Sequence, residues 1–217
     1  DVERRSDPRP DGAGTDPQVG QEAGAAVSGK AHRLVARLSG TDSYSTPNWA
    51  TEALLDFERF DGSVLEPACG RCAIVKELQL HGIQADSSDL AQGSEIHGTG
   101  GIDFLDPASY EAKGYDHVIT NPPYSLAAEF VQRALAVARE KVAMLLRIQF
   151  LEGGKRYHWL STAPLEAVYV FSSRLTMYPD KPTSEVPDDE VIPHEVEKKL
   201  GTGTACYAWF VWNLRRE

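Results

Sequence analysis

The sequence predicts an α/β fold, a doubly wound and mostly parallel seven-stranded sheet with an antiparallel last strand. Short strand-like runs alternate along the chain with segments of helical spacing, as in successive strand-helix-strand units. The run at residues 142–146 is apolar throughout, which is typical of a strand buried on both faces of a parallel sheet. Residues 205–212 are alternating and aromatic, so they are predicted to form the last strand.

The other elements follow from periodicity and from helix-ending residues. A short apolar run ends in Glu66-Pro67 ahead of a turn at Gly70, and the helix that follows is expected to stop at Gly82. The longest amphipathic pattern carries apolar residues at Leu126, Phe130 and Leu135. The sequence therefore predicts strands at 64–67, 83–87, 117–120 and 167–171, and helices at 73–80 and 126–140.

One folded domain is expected at residues 34–217. Residues 1–33 are rich in Gly, Pro, Asp, Ala and Gln and nearly lack large apolar side chains, so they are predicted to be a disordered tail. Residues 179–204 carry several prolines and many acids without apolar periodicity. This segment is predicted to be a long surface loop with one helical turn at 194–200.

Composition narrows the class of protein. No apolar run is long enough to cross a membrane, and the N-terminus lacks the charged-then-apolar pattern of a secretion signal. Three cysteines are too few and too sparse for a disulfide framework, so a reducing, cytoplasmic setting is expected. The net charge of −10 argues against tight non-specific binding to nucleic acid, although it permits a local basic channel.

The segment Asn121-Pro122-Pro123-Tyr124 directly follows a predicted strand. Consecutive prolines fix the backbone and end strand pairing, so Asn121 and the Pro122 carbonyl are expected to form two preset acceptors beyond the strand. Two acceptors match an exocyclic NH2 group, which has two hydrogens to donate, and the Tyr124 ring would stack on the base that carries it. The alternative is an ordinary strand-ending turn, for which Asn-Pro is common.

Upstream residues fit a nucleoside-binding site. Glu66 and Gly70 bracket a turn of small residues between a strand and a helix, where backbone N–H groups are free. Asp89 follows about 20 residues later and would take ribose hydroxyls, with Asp86 as the alternative. Asp103 would accept a hydrogen bond from an adenine amine and Phe104 would pack on its ring, unless these residues are a solvated acid and a core aromatic.

The order of these segments resembles class I S-adenosylmethionine-dependent DNA methyltransferases of the adenine-N6 type, over residues 42–212. Tyr44 and Thr46 lie in a Tyr-x-Thr-Pro segment similar to the family's N-terminal cofactor motif. The resemblance implies a Rossmann-like methyltransferase fold, S-adenosylmethionine as cofactor and DNA as partner. By the same resemblance the cofactor would be lined by Tyr44, Thr46, Glu66, Gly70, Asp89, Asp103 and Phe104, and the target amine would be held by Asn121, Pro122 and Tyr124.

The chain also departs from that family. Cys72 stands where a second glycine is usual, and its side chain is expected to narrow the approach to the cofactor. No sizeable target-recognition region follows the last strand, which is similar to the compact, phage-type enzymes. RNA adenine, cytosine N4 and a protein glutamine amide suit the same pocket, and a non-catalytic binding subunit is a further hypothesis. The target sequence and the oligomeric state stay open.

Two further sets of residues bear on possible binding sites. The basic residues Arg147, Lys155, Arg156 and Arg174 follow predicted strands or glycines, and together they are candidates for phosphate contacts. The Cys69-x-x-Cys72 spacing fits zinc or redox chemistry, but a structural zinc site needs four ligands and Cys206 is the only other cysteine. No metal site is therefore predicted.

Overall fold

The computed structural model describes residues 44–93, 96–175, 177–179 and 205–215. Its helices are α1 (Asn48–Leu55), α2 (Ala73–Leu80), α3 (Ala127–Val137) and α4 (Gly154–Leu160). Short 3-10 helices span Tyr124–Leu126 and Ile148–Leu151. The strands are β1 (Tyr44–Ser45), β2 (Val64–Glu66), β3 (Ala85–Asp89), β4 (Thr99–Gly100), β5 (Tyr115–Thr120), β6 (Ala138–Arg147), β7 (Leu165–Val170), β8 (Tyr178–Pro179) and β9 (Tyr207–Asn213).

Seven of these strands form one sheet in the order β4-β3-β2-β5-β6-β9-β7. Neighbouring strands from β4 to β6 run parallel, whereas β9 is antiparallel to both β6 and β7. The predicted seven-stranded, mostly parallel sheet with an antiparallel last strand is confirmed. Strands β1 and β8 pair separately as a two-stranded antiparallel sheet.

Helices cover both faces of the sheet, and β6 shows how the core is divided between them. Val142, Met144 and Leu146 belong to the cluster that packs against α3, while Ala143 and Leu145 belong to the cluster that packs against α1 and α2. Since successive strand residues point to opposite faces, an apolar run through β6 serves both layers. This is the burial on both faces that the sequence predicted.

The boundary between α3 and β6 differs from the sequence prediction. A helix was expected at 126–140, but α3 ends at Val137 and β6 begins at Ala138. Ala138 pairs with Tyr115 of β5, and its carbonyl accepts a hydrogen bond from Lys113 Nζ at 2.7 Å. Tertiary pairing therefore draws residues of high helix propensity into a strand.

The second predicted strand is shifted in the same way. It was expected at 83–87 and is observed as β3, Ala85–Asp89, because the Ile83 amide donates to the Leu78 carbonyl and completes the end of α2. The predicted tail at 1–33 lies outside the described residues, as does residue 180 onward in the predicted 179–204 loop. Within the described ranges, no helix combines the length and apolar character needed to cross a membrane.

Candidate active site

The predicted site residues gather at the carboxyl edge of the parallel strands. The loop from β2 to α2 begins with Glu66, which is buried, and passes through Gly70 at a positive φ of 49°. The Cys69 amide donates to the Ser88 carbonyl at 2.9 Å, and the Gly70 amide donates to Asp89 Oδ2 at 3.0 Å. These bonds hold the loop against the end of β3, which is where an open α/β sheet binds ligands.

A first cavity lies between this loop, β1 and the end of β5. It brings together five of the predicted residues that are up to 77 positions apart in the chain, Tyr44, Thr46, Glu66, Gly70 and Asn121. Its remaining lining residues are Ser45, Ala68, Cys69, Arg71, Ala73 and Ile74. The small side chains of the loop leave backbone and polar groups facing the cavity.

A second cavity adjoins the first, because Ala68 lines both. It contains the other predicted cofactor residues, Asp89, Asp103 and Phe104. It is completed by Pro67, Leu90, Ile102, Pro123, Leu126 and Phe130. The polar first cavity and the apolar second cavity thus lie on either side of Ala68 in the loop.

Asn121 has a fixed side-chain orientation. Its Nδ2 donates to Thr46 Oγ1 at 3.1 Å and to the Tyr44 carbonyl at 3.3 Å. The Tyr44 carbonyl can only accept, so the amide nitrogen must face β1 and the oxygen must face the other way. Asn121 Oδ1 is buried and has no hydrogen-bond partner among the described residues. It is an acceptor of fixed orientation on a residue that lines the first cavity.

Pro122 and Tyr124 complete the corner but line neither cavity. No described residue donates a hydrogen bond to the Pro122 carbonyl. The Tyr124 ring lies 6.4 Å from the Tyr44 ring at 24° and 5.5 Å from the Tyr207 ring, and the Arg147 guanidinium sits over it at 4.8 Å. Burial raises the pKa of the Tyr124 hydroxyl well above its ordinary value.

Three of the predicted cofactor contacts also have structural partners. Asp89 Oδ1 accepts from the Ala91 amide at 2.9 Å, and Asp103 Oδ1 accepts from the Leu105 amide at 3.1 Å. Phe104 packs on Phe130 with ring centroids 5.2 Å apart, so it serves the core as well as the cavity wall. The alternative acid, Asp86, is exposed and accepts a hydrogen bond from the Tyr115 hydroxyl at 2.8 Å.

Cys72 does not narrow the cavity as the sequence suggested. It adopts a left-handed conformation, φ 58° and ψ 36°, and its buried side chain packs with Cys69 and Val75. Its thiol contacts Ser87 Oγ at 3.6 Å, and Cys72 is absent from the lining of the first cavity. Hydrogen bonding between the two thiols raises the pKa of Cys69 and lowers that of Cys72 to about 7.

The basic residues divide into two kinds. Arg156 donates to the Phe150, Gln149 and Glu152 carbonyls, so its guanidinium holds its own loop together. Arg147 and Arg174 are exposed, and the Lys155 side chain lies outside the described part of the structure. Of the predicted phosphate contacts, Arg147 therefore has the most direct link to the site, through Tyr124.

Several site residues carry no signal in the sequence. Arg71 lines the first cavity, while Ile102 and Leu126 line the second. Tyr207 reaches Tyr124 because its strand pairs with β6 in a register that places it opposite Arg147. Tyr124 and Tyr207 lie 83 positions apart in the sequence, so the contact becomes visible only through the register of β9.

Comparison with known proteins supports the fold. No protein-family model and no curated protein sequence matches the chain. Among solved structures, a candidate RNA methyltransferase from Pyrococcus horikoshii is 13% identical with a TM-score of 0.52, covering 86% of this chain and 98% of that one. A modification subunit of a candidate type I restriction enzyme from Vibrio vulnificus is 11% identical with a TM-score of 0.51, covering 93% of this chain and 51% of that one. At such identities the likeness shows a Rossmann-like methyltransferase fold and no more.

Proposed function

We propose that this protein is an S-adenosylmethionine-dependent methyltransferase that acts on the exocyclic amine of a nucleobase, adenine N6 in DNA. The observation that carries the proposal is the orientation of Asn121. Its amide nitrogen is held by the Tyr44 carbonyl and by Thr46 Oγ1, while its oxygen is buried without a hydrogen-bond partner among the described residues. The neighbouring Pro122 carbonyl likewise accepts no described hydrogen bond. A buried acceptor of this kind is costly unless a ligand satisfies it.

The cavities fit the proposed cofactor. The first cavity offers the buried carboxylate of Glu66, the Gly70 backbone and the Thr46 hydroxyl, which suit the polar, cationic part of S-adenosylmethionine. The second offers Asp89 for ribose hydroxyls and Asp103 with Phe104 for the adenine ring. The cofactor would supply an electrophilic methyl group carried on a sulfonium.

The protein's own contribution would be to position and polarise the target amine. Asn121 Oδ1 and the Pro122 carbonyl would each accept one N–H of the amine. With both hydrogens held, the nitrogen loses conjugation with the ring and its lone pair is directed at the methyl carbon. Catalysis of this kind depends on orientation and fixed dipoles and needs no covalent intermediate with the enzyme.

The choice of adenine in DNA rests on the resemblance of the four cofactor and target segments to adenine-N6 methyltransferases. RNA adenine, cytosine N4 and a glutamine amide present the same NH2 geometry. Mass spectrometry of digested DNA, RNA and protein after reaction separates them. N6-methyladenine confined to DNA is expected, and a methylated product of another class would change the substrate while leaving the chemistry in place.

Tritiated methyl transfer to DNA by the wild type and by Asn121→Ala tests the proposal. Loss of one positioned hydrogen-bonding group in a catalytic site lowers the rate by about 100-fold or more. The matched control is Asn213→Ala, since Asn213 lies at the end of β9 on the opposite edge of the sheet and should leave the rate unchanged.

Two results would overturn the proposal. One is a wild-type protein that transfers no methyl group to DNA, RNA or protein. The other is an Asn121→Ala variant that keeps the wild-type rate. Calorimetry with S-adenosylmethionine separates an inactive enzyme from a non-catalytic binding subunit, because a degenerate site should bind no cofactor.

A further inference from the structure

Arg147 occupies an unusual position next to the proposed target site. It is the last residue of β6, which extends three residues beyond Met144, the partner of Thr120 at the end of β5. Its side chain is exposed, and its guanidinium lies over the Tyr124 ring with 4.8 Å from Cζ to the centroid. Guanidinium groups stack on aromatic faces in this way through cation–π attraction.

The polar contacts of this guanidinium set it apart. Among the arginines that the structure describes, Arg147 is the one that makes no hydrogen bond or ion pair with a described residue. Arg133 donates to three backbone carbonyls, and Arg139 is paired with Asp116. Within the described part of the chain, Arg147 is thus held by a ring face alone, and no described residue occupies its five N–H donors.

The ring beneath it has little other free surface. Tyr124 is also contacted by Tyr44 and by the buried Tyr207, and its hydroxyl oxygen is buried. A base that stacks on Tyr124 must therefore displace one of these neighbours. Arg147 is the exposed neighbour and has no polar contact with a described residue. Its displacement from the ring therefore costs the least free energy.

We propose that Arg147 is a substrate-binding gate, which covers Tyr124 until the target base takes its place and then pairs with the phosphate beside the extruded nucleotide. The inference rests on the proposed function. It adds a residue that would link stacking of the target base to binding of the adjacent DNA phosphate. Base–aromatic stacking is stronger than an exposed cation–π contact, so exchange of the guanidinium for a base is favourable. A planar guanidinium also matches a phosphate in a bidentate geometry.

Steady-state methyl transfer to plasmid DNA, with wild type and Arg147→Ala, measures the effect. The KM for DNA is expected to rise about tenfold, and the slope of log affinity against log salt to become shallower by about 0.9, as for one lost phosphate contact. The dissociation constant for S-adenosylmethionine should not change. Arg147→Lys keeps the charge without the planar fork, so it should retain the salt slope and recover part of the KM.

The matched control is Arg139→Ala. Arg139 carries the same charge on the same strand, but at its opposite end and in an ion pair with Asp116. It should leave the KM for DNA and the salt slope as in wild type, and circular dichroism should show both variants folded.

The outcomes separate the two proposals. If wild type methylates DNA and Arg147→Ala matches it in KM and in salt slope, the gate is overturned and the proposed function stands. If Arg139→Ala weakens DNA binding as much as Arg147→Ala, the effect is one of total charge and the gate is likewise overturned. If wild type neither binds nor methylates DNA or RNA, both proposals fall together.

Discussion

Asn121 illustrates how the orientation of one side chain depends on distant residues. Its nitrogen is held by the Tyr44 carbonyl and by Thr46 Oγ1, 77 and 75 positions earlier in the chain, so its oxygen points away from both groups. An amide without these two acceptors could adopt either of two orientations, and one of them would present hydrogens instead of an acceptor to the proposed target amine. Thr46 is therefore a positioning residue for Asn121 in addition to lining the cavity.

Replacement of Thr46 by Val should separate these roles, because the shape is kept and the acceptor is removed. One lost hydrogen bond of about 1 kcal/mol corresponds to roughly a five- to tenfold fall in kcat at saturating S-adenosylmethionine. Thr46→Ser, which keeps the hydroxyl, should transfer methyl groups at nearly the wild-type rate. Equal kcat values for the Val variant and wild type would show that Thr46 does not orient the amide.

At the residue scale, the sequence predicts which residues belong to the site better than it predicts the residues that surround them. Asn121, Glu66 and Asp103 were predicted from local motifs, and they line the two adjoining cavities. The cation–π contact of Arg147 with the Tyr124 ring was not predicted, because it depends on how far β6 extends past β5. The Cys72 side chain points into a small apolar cluster because its backbone is left-handed, a property that a sequence motif does not record.

At the scale of elements, α1 connects the cofactor segment to the core. It follows Thr46 directly, and the indole Nε1 of Trp209 on β9 donates to the Ala50 carbonyl at 2.6 Å. A buried hydrogen bond from the central sheet thus fixes the helix whose N-terminal side carries Tyr44 and Thr46. The strand pairings that position α1 link distant parts of the chain, so periodicity predicted neither α1 nor this anchor.

Strand β5 contains a histidine whose protonation should be linked to folding. His117 is buried, and its Nε2 lies 2.9 Å from the Asp61 carbonyl, an acceptor, so the neutral ring carries its proton there. Its Nδ1 is buried without a partner among the described residues. Burial, followed by the charges of Lys141 and Arg215, lowers the pKa of His117 below its ordinary 6.5.

The sign of this shift predicts acid destabilisation. Below pH 6.5 the unfolded chain takes up a proton that the native ring resists, so stability present above 6.5 is lost as the pH falls toward the folded pKa. Urea midpoints measured across this range should decline for wild type and decline less for His117→Gln, which keeps a donor for Asp61 without titrating. Parallel declines in the two proteins would assign the acid sensitivity to other groups.

At the scale of the whole molecule, the charge limits how DNA, the proposed substrate, could be held. The net charge is −10, and most described arginines are committed to internal carbonyls or carboxylates. Among the described arginines, few are therefore left to neutralise a phosphate, and Arg147 is the best placed of them. The net charge is read from the composition, while the position of Arg147 beside Tyr124 is seen only in the fold.

The two cavities are lined by segments from β1 to the corner after β5. A ligand bound there should therefore raise the stability of the domain. A ligand that contacts all of them stabilises the cooperative unit as a whole, by about 2.7 kcal/mol when its concentration is 100 times its dissociation constant. For a domain of this size that corresponds to a rise in Tm of roughly 5–10 °C. Scanning calorimetry with S-adenosylmethionine should record such a shift for the wild type.

Glu66→Gln should abolish most of this shift, because a neutral amide no longer attracts a cationic ligand into the first cavity. The matched control is Asp86→Asn, which removes an acid from the adjacent strand β3 at an exposed position outside both cavities. It should keep the full wild-type shift. A wild-type Tm that does not respond to S-adenosylmethionine would remove the cofactor from the proposal, whereas equal shifts in all three proteins would place its cationic group away from Glu66.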